Sequence, residues 1–166
     1  MFILRIIVGL VAGAVLGMVV MMGLHLASTL IYAPPEGVEF MSQDAENLKR
    51  MRKWFSTLPA GAFVMATLCH GLGCLTGAVS AMFIAGRHSL ISPLIIAGFF
   101  TLGGIMNMQS MPHPVWFPLL DLPIYIVPVW CVAKALQTPS AEHPPGVQSS
   151  AADSPSVPPS VQHNQN

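Results

Sequence analysis

The chain has 166 residues, a length that suits one domain, but 53% of them are hydrophobic and only 8% are charged, against roughly 25% charged in a soluble domain. Seven basic and seven acidic side chains cancel, and eight of these fourteen lie between Glu36 and Lys53, so the long apolar stretches are almost bare of charge. This excludes a water-soluble globule with a charged shell, and a neutral balance with one short basic cluster argues against a nucleic-acid partner.

A helix crossing the ~30 Å hydrocarbon layer needs about 20 mostly apolar residues. Residues 6–31, 59–85, 90–108 and 115–136 meet or approach that requirement. None alternates as barrel strands do, and backbone groups in lipid must be satisfied within their own segment. The expected fold class is all-α membrane: four transmembrane helices in an antiparallel bundle against the lipid bilayer. A short amphipathic surface helix and a disordered C-terminal tail complete it.

The first segment begins after Arg5 and has small residues at Ala27 and Ser28. It exceeds the ~7–15 apolar residues of a secretory signal, so it reads as a retained helix. Gly9, Gly13 and Gly17 recur every fourth residue in it, as Gly73, Gly77, Ala81 and Ala85 do in the second segment. Such smooth faces let backbones approach where lipid supplies no hydrophobic drive. The two stripes are expected to pack within one chain, with a homo-oligomer as the alternative.

Between them, residues 33–58 form the one sizeable loop. Pro34 and Pro35 stop the first helix, and Ser42 opens a second helical pattern over about 43–55. Asp44 and Glu46 come early and Lys49, Arg50, Arg52 and Lys53 late, an order that complements the helix dipole, with Glu46 and Arg50 an i,i+4 pair. Ala45, Leu48, Met51 and Phe55 share a stripe beside Trp54. An interfacial helix with basic side chains among headgroups is expected.

Gly86-Arg87-His88-Ser89 is a tight turn that makes the second and third segments antiparallel neighbours, with Ser89 as N-cap and Pro93 in the first turn. Pro118, Pro123 and Pro128 divide the last segment, freeing the carbonyls of Pro114, Leu119 and Ile124. A kinked helix shielded by its neighbours is expected. Residues 137–166, with six prolines and six serines, cannot bury enough to order themselves and read as a disordered tail.

Alternation of helix direction brings His25, His70, Asn107, His113 and Asp121 into the half of the membrane facing the 33–58 loop. Asp121 is the one acid inside an apolar segment, where a carboxylate costs at least ~2.5 kcal/mol and calls for an interior partner. These five are the candidate buried polar network. Met106, Met108, Met111 and His113 form a second cluster whose thioether and imidazole donors suit Cu(I), with Cys69, His70 and Cys74 as possible additions. Methionine is also an ordinary filler in apolar helices, so copper is the weaker reading and no cofactor is expected. Cys69 and Cys74 sit five apart on one helix and cannot pair there.

Hydrolase, metalloprotease and phosphate-loop motifs are absent and carboxylates are not paired, so an enzyme is not expected. Asn107-Met108, Met111-Pro112-His113-Pro114 and Trp116-Phe117 follow a glycine-rich first helix, a Pro-Pro loop and the Gly86-Arg87 turn. With these features the chain resembles a group of small, uncharacterised four-helix bacterial membrane proteins over about residues 3–136. The resemblance implies the bundle and the bacterial cytoplasmic (inner) membrane, and implies no activity. Both termini are expected in the cytoplasm, because Arg5 and Arg87 adjoin helix ends. The expected function is non-enzymatic, through helix packing or membrane partner contacts. The alternative is small transport or handling of Cu(I) or protons by the loop-side cluster.

Overall fold

The computed structural model describes residues 2–40, 42–86 and 90–137. Among these residues there are five helices and no strand: α1 (Phe2–Ser28), α2 (Ala45–Phe55), α3 (Ala60–Ala85), α4 (Ile91–Ser110) and α5 (Phe117–Leu136). All but α2 are long and apolar enough to cross a membrane. This is an all-α membrane protein with four spans, and alternation places the C-terminal ends of α1 and α4 beside the N-terminal ends of α3 and α5. That end, where α2 also lies, is called the loop end. The expected tail from 138 onward and the Arg87–Ser89 portion of the turn lie outside the described residues.

Two details differ from the sequence reading. Backbone order past Ser28 continues only as hydrogen-bonded turns, with Tyr32 N donating to the Ser28 carbonyl at 2.9 Å. The expected N-cap of α4, Ser89, lies outside the described residues, and Leu90 beside it is already helical in backbone. Pro118 does not kink α5; it occupies its second position, where the N–H it lacks has no acceptor to lose. Pro123 and Pro128 do lie inside a continuous helix.

α3 is the central helix and packs against α1, α4 and α5. Its seam with α1 is the pair of small-residue stripes, joined within one chain. A Cβ added to Gly13 would stand 2.5 Å from the Gly77 carbonyl oxygen, and one on Gly17 2.8 Å from the Gly73 oxygen. Backbone therefore touches backbone, and nothing larger than hydrogen fits at either place. Towards the turn end, Cys74, Ala78, Ala81, Ile96, Ala97 and Val129 form a closed apolar core.

α2 is capped by Asp44, whose carboxylate accepts from the backbone of Glu46 and Asn47. Buried Asn47 holds the preceding loop to it: its side chain accepts from Glu39 N at 2.8 Å and donates to the carbonyls of Glu39 and Ser42. Glu46 faces Lys49 and Arg50 at 3.7 and 3.9 Å, all three exposed. Arg52 Nε donates to the Ser110 carbonyl at 3.1 Å, meeting the exposed C-terminal end of α4 with positive charge. Met51 is buried and Leu48 and Phe55 half-buried, while Ala45, which the stripe included, is exposed.

Candidate functional site

The apolar side of α2 does not close directly on the bundle. Between them lies a cavity of about 840 Å³, within the ~300–1,000 Å³ range of small-molecule sites. Met22 and Leu26 of α1, Leu48 and Met51 of α2, Phe63 of α3 and Phe117 of α5 supply apolar wall. Met22 and Leu26 are 52% and 57% exposed, so this part of the wall also lies on the outer surface of the bundle. The polar lining of the cavity includes His25, His70, Asn107, His113 and Arg52, and no aspartate or glutamate among the described residues.

Directly behind the lining sits Asp121, with 0% of its surface exposed. Its position follows from the helix ladder: α5 turns Phe117, Asp121, Tyr125, Val129 and Ala133, each four apart, onto the interior. Asp121 Oδ1 meets His70 Nδ1 at 2.8 Å, and Oδ2 accepts from the Tyr125 hydroxyl at 3.1 Å. Both carboxyl oxygens are thus engaged, as burial in an apolar medium demands. The Tyr125 ring stacks on His70 (centroids 5.8 Å apart), and Gly104 of α4 makes room for it, since a Cβ there would stand 2.8 Å from the hydroxyl. The Cys74 thiol donates to the Tyr125 carbonyl at 3.5 Å.

His70 connects this cluster to the cavity. Its Nδ1 is taken by Asp121, so Nε2, on the other side of the ring, has no protein hydrogen bond among the described residues, and the His70 side chain is part of the cavity wall. His25 packs edge-on against His70 at 5.0 Å and makes no side-chain hydrogen bond among the described residues.

The other candidates divide. His113 does not reach Asp121: its Nδ1 meets the Met111 carbonyl at 2.8 Å and its ring stacks on Phe117 at 4.7 Å. Burial pushes its pKa below the ordinary value, and His70 adds to that. The bond to Met111 and the charge of Asp121 oppose it. Asn107 is exposed and lines the cavity without joining the cluster. Met106 is 68% exposed, and neither it nor Met108 lines the cavity that Met111 and His113 do, so the four sulfur and imidazole candidates are not gathered at one point. Among the described residues, no group of three or more His, Cys, Asp or Glu is arranged to hold a metal.

Sequence reasoning missed Tyr125, although its i,i+4 spacing from Asp121 on one helix carried the signal. It also missed Thr67, whose buried hydroxyl, like that of Ser92, has no partner among the described residues. Asn47 was equally unmarked.

Fold and site together define a multi-pass membrane protein with a loop-end cavity backed by a buried His–Asp–Tyr cluster. Comparison with family models, curated proteins and solved structures returns no match.

Proposed function

We propose that this is a non-enzymatic membrane protein whose partner is a single-chain amphiphile taken from the bilayer and held in the loop-end cavity. The observation that carries this reading is an apolar cavity, walled in part by half-exposed residues of α1 and by the imidazole of His70, whose Nε2 has no protein hydrogen bond among the described residues. A molecule with an apolar body and one polar group satisfies both features, because apolar walls supply area and a few placed polar groups supply orientation. The exposed Lys49, Arg50 and Lys53 on the outer side of α2 suit the headgroup layer, which sets the cavity at the depth where such a molecule changes from polar to apolar.

A proton or ion path has less support. The core beyond Tyr125 is the apolar cluster around Cys74, Ile96 and Val129, and the buried Ser92 hydroxyl past it has no hydrogen-bond partner among the described residues. Copper handling is weakened by the scatter of Met106 and Met108 away from the cavity. Membership of the Pro-His-Pro-x-Trp-Phe group, a bacterial inner membrane and cytoplasmic termini belong to the same proposal, on the strength of residues 112–117 and of Arg5 at its helix end.

Trp54 lines the cavity and reports on it. In nanodiscs, with Trp116→Phe and Trp130→Phe leaving Trp54 alone, single-chain amphiphiles brominated along the chain should quench it saturably at low mole fraction. Ala66→Phe, which adds bulk to the cavity wall, should abolish the saturable part. Quenching that only rises in proportion to bilayer bromine, equal in both proteins, would refute the reading.

A further inference from the structure

We infer that the cavity selects a long-chain carboxylic acid, with its carboxyl group on His70 Nε2 and its chain under α2; this rests on the amphiphile reading above. The His70 Nδ1···Asp121 Oδ1 bond is compatible with a neutral or a charged ring, and in either case Nε2 of this cavity-lining side chain is left without a protein hydrogen bond among the described residues. When the ring is charged, Nε2 carries a hydrogen and needs an acceptor; when it is neutral with hydrogen on Nδ1, Nε2 presents a lone pair and needs a donor. A carboxyl group answers both states without changing the proton count. As carboxylate it accepts from Nε2–H, and as the acid it donates to the Nε2 lone pair.

The same proton then lies between one nitrogen and one oxygen, with Asp121 holding the far side of the ring. Asp121 keeps the imidazole oriented through Oδ1, while Tyr125 occupies Oδ2 and leaves the carboxylate no reason to turn towards the cavity. Charge adds a second selection. Arg52 is the one permanently charged side chain among the described cavity-lining residues, and no acidic side chain joins it there. An anionic head is therefore favoured, and a cationic head meets only like charge and imidazole. His25, edge-on to His70 and without a side-chain hydrogen bond among the described residues, is placed to share the second carboxyl oxygen.

Three brominated octadecyl probes of equal chain, carrying a carboxyl, a hydroxyl or a trimethylammonium head, decide the matter by Trp54 quenching in the nanodisc protein. The acid is expected to saturate at a mole fraction at least ten-fold lower than the alcohol, and the ammonium compound to show no saturable component. His70→Gln should remove the acid-over-alcohol preference while leaving chain binding. Arg52→Gln, on an exposed side chain that leaves the His70–Asp121 pair intact, should narrow it several-fold, and it decides the question even where His70→Gln does not fold. Equal saturable quenching by all three heads overturns the carboxyl inference and leaves the amphiphile reading standing. Saturable quenching by none removes both. A preference unchanged in Arg52→Gln, or in folded His70→Gln, also overturns the inference.

Discussion

Replacing Asp121 with leucine tests the part of the structure on which most else depends. The carboxyl is fully buried and has two partners, so leucine leaves the Tyr125 hydroxyl and the His70 Nδ1 without a hydrogen bond inside the bundle. Each stranded group costs ~1–3 kcal/mol. His70 can relieve its share by turning to water in the cavity, so the loss is expected between about 1 and 6 kcal/mol, with Tyr125 as the part that cannot be relieved. Asparagine has the same shape, accepts from Tyr125 and can donate to a neutral His70. Asp121→Asn should therefore cost little if the pair is neutral, and ~3–5 kcal/mol if a charged pair is broken. Unfolding of wild type and both variants in detergent, followed by helical circular dichroism, measures the order. Adding Tyr125→Phe to Asp121→Leu should recover part of the loss, because the orphaned hydroxyl is then gone, giving a coupling of about 1 kcal/mol or more. A leucine variant that unfolds no earlier than wild type would refute the buried cluster, and with it the orientation of His70.

Four further outcomes follow from particular contacts. Gly13→Leu should separate α1 from α3 and lower the unfolding midpoint sharply, since even a Cβ meets the Gly77 oxygen at 2.5 Å, whereas Gly98→Ala, with nothing within 4 Å, should be neutral or slightly stabilising by the same assay. His113 has its pKa lowered in the fold chiefly by burial, so the unfolded chain binds more protons below the ordinary value of 6.5. Stability should thus fall as pH drops through about 6.5, and His113→Gln should flatten that slope; an unchanged slope in the variant contradicts the effect of the ring's partial burial. Thr67→Val removes a hydroxyl that is buried without a partner among the described residues and should raise the midpoint; a lower midpoint would reveal that the hydroxyl is in use. For topology, Glu36→Cys and Gln137→Cys in a background lacking Cys69, Cys74 and Cys131 should label from outside intact cells at position 36 and not at 137, and the reverse pattern inverts the orientation.

Much of the architecture was legible in the order of residues because lipid leaves a chain few options. Long runs of uncharged apolar side chains can satisfy their backbone only as helices, so four spans follow from composition and length. The same simplicity made the Gly9–Gly13–Gly17 and Gly73–Gly77 stripes readable, since small residues every fourth position make one smooth face whatever the rest of the helix contains. Depth also followed from direction alone, which put His25, His70, His113 and Asp121 in one half. Azimuth did not. Whether a side chain at a given depth looks at a neighbour, at lipid or into a void depends on how each helix is rotated about its axis, and uniformly apolar helices carry almost no signal for that rotation.

Tertiary packing decided these rotations. It joined His70 and Tyr125 to Asp121, turned His113 aside onto Phe117, and left Met106 facing outwards. It also decided what α2 is for. The stripe of Leu48, Met51 and Phe55 marks an amphipathic helix in any setting, but only the position of the span ends shows that this stripe roofs a cavity instead of resting on a closed surface. The physical reason is that a stripe records a side chain's preference for apolar surroundings, and a cavity wall, a neighbouring helix and an acyl chain satisfy that preference equally well.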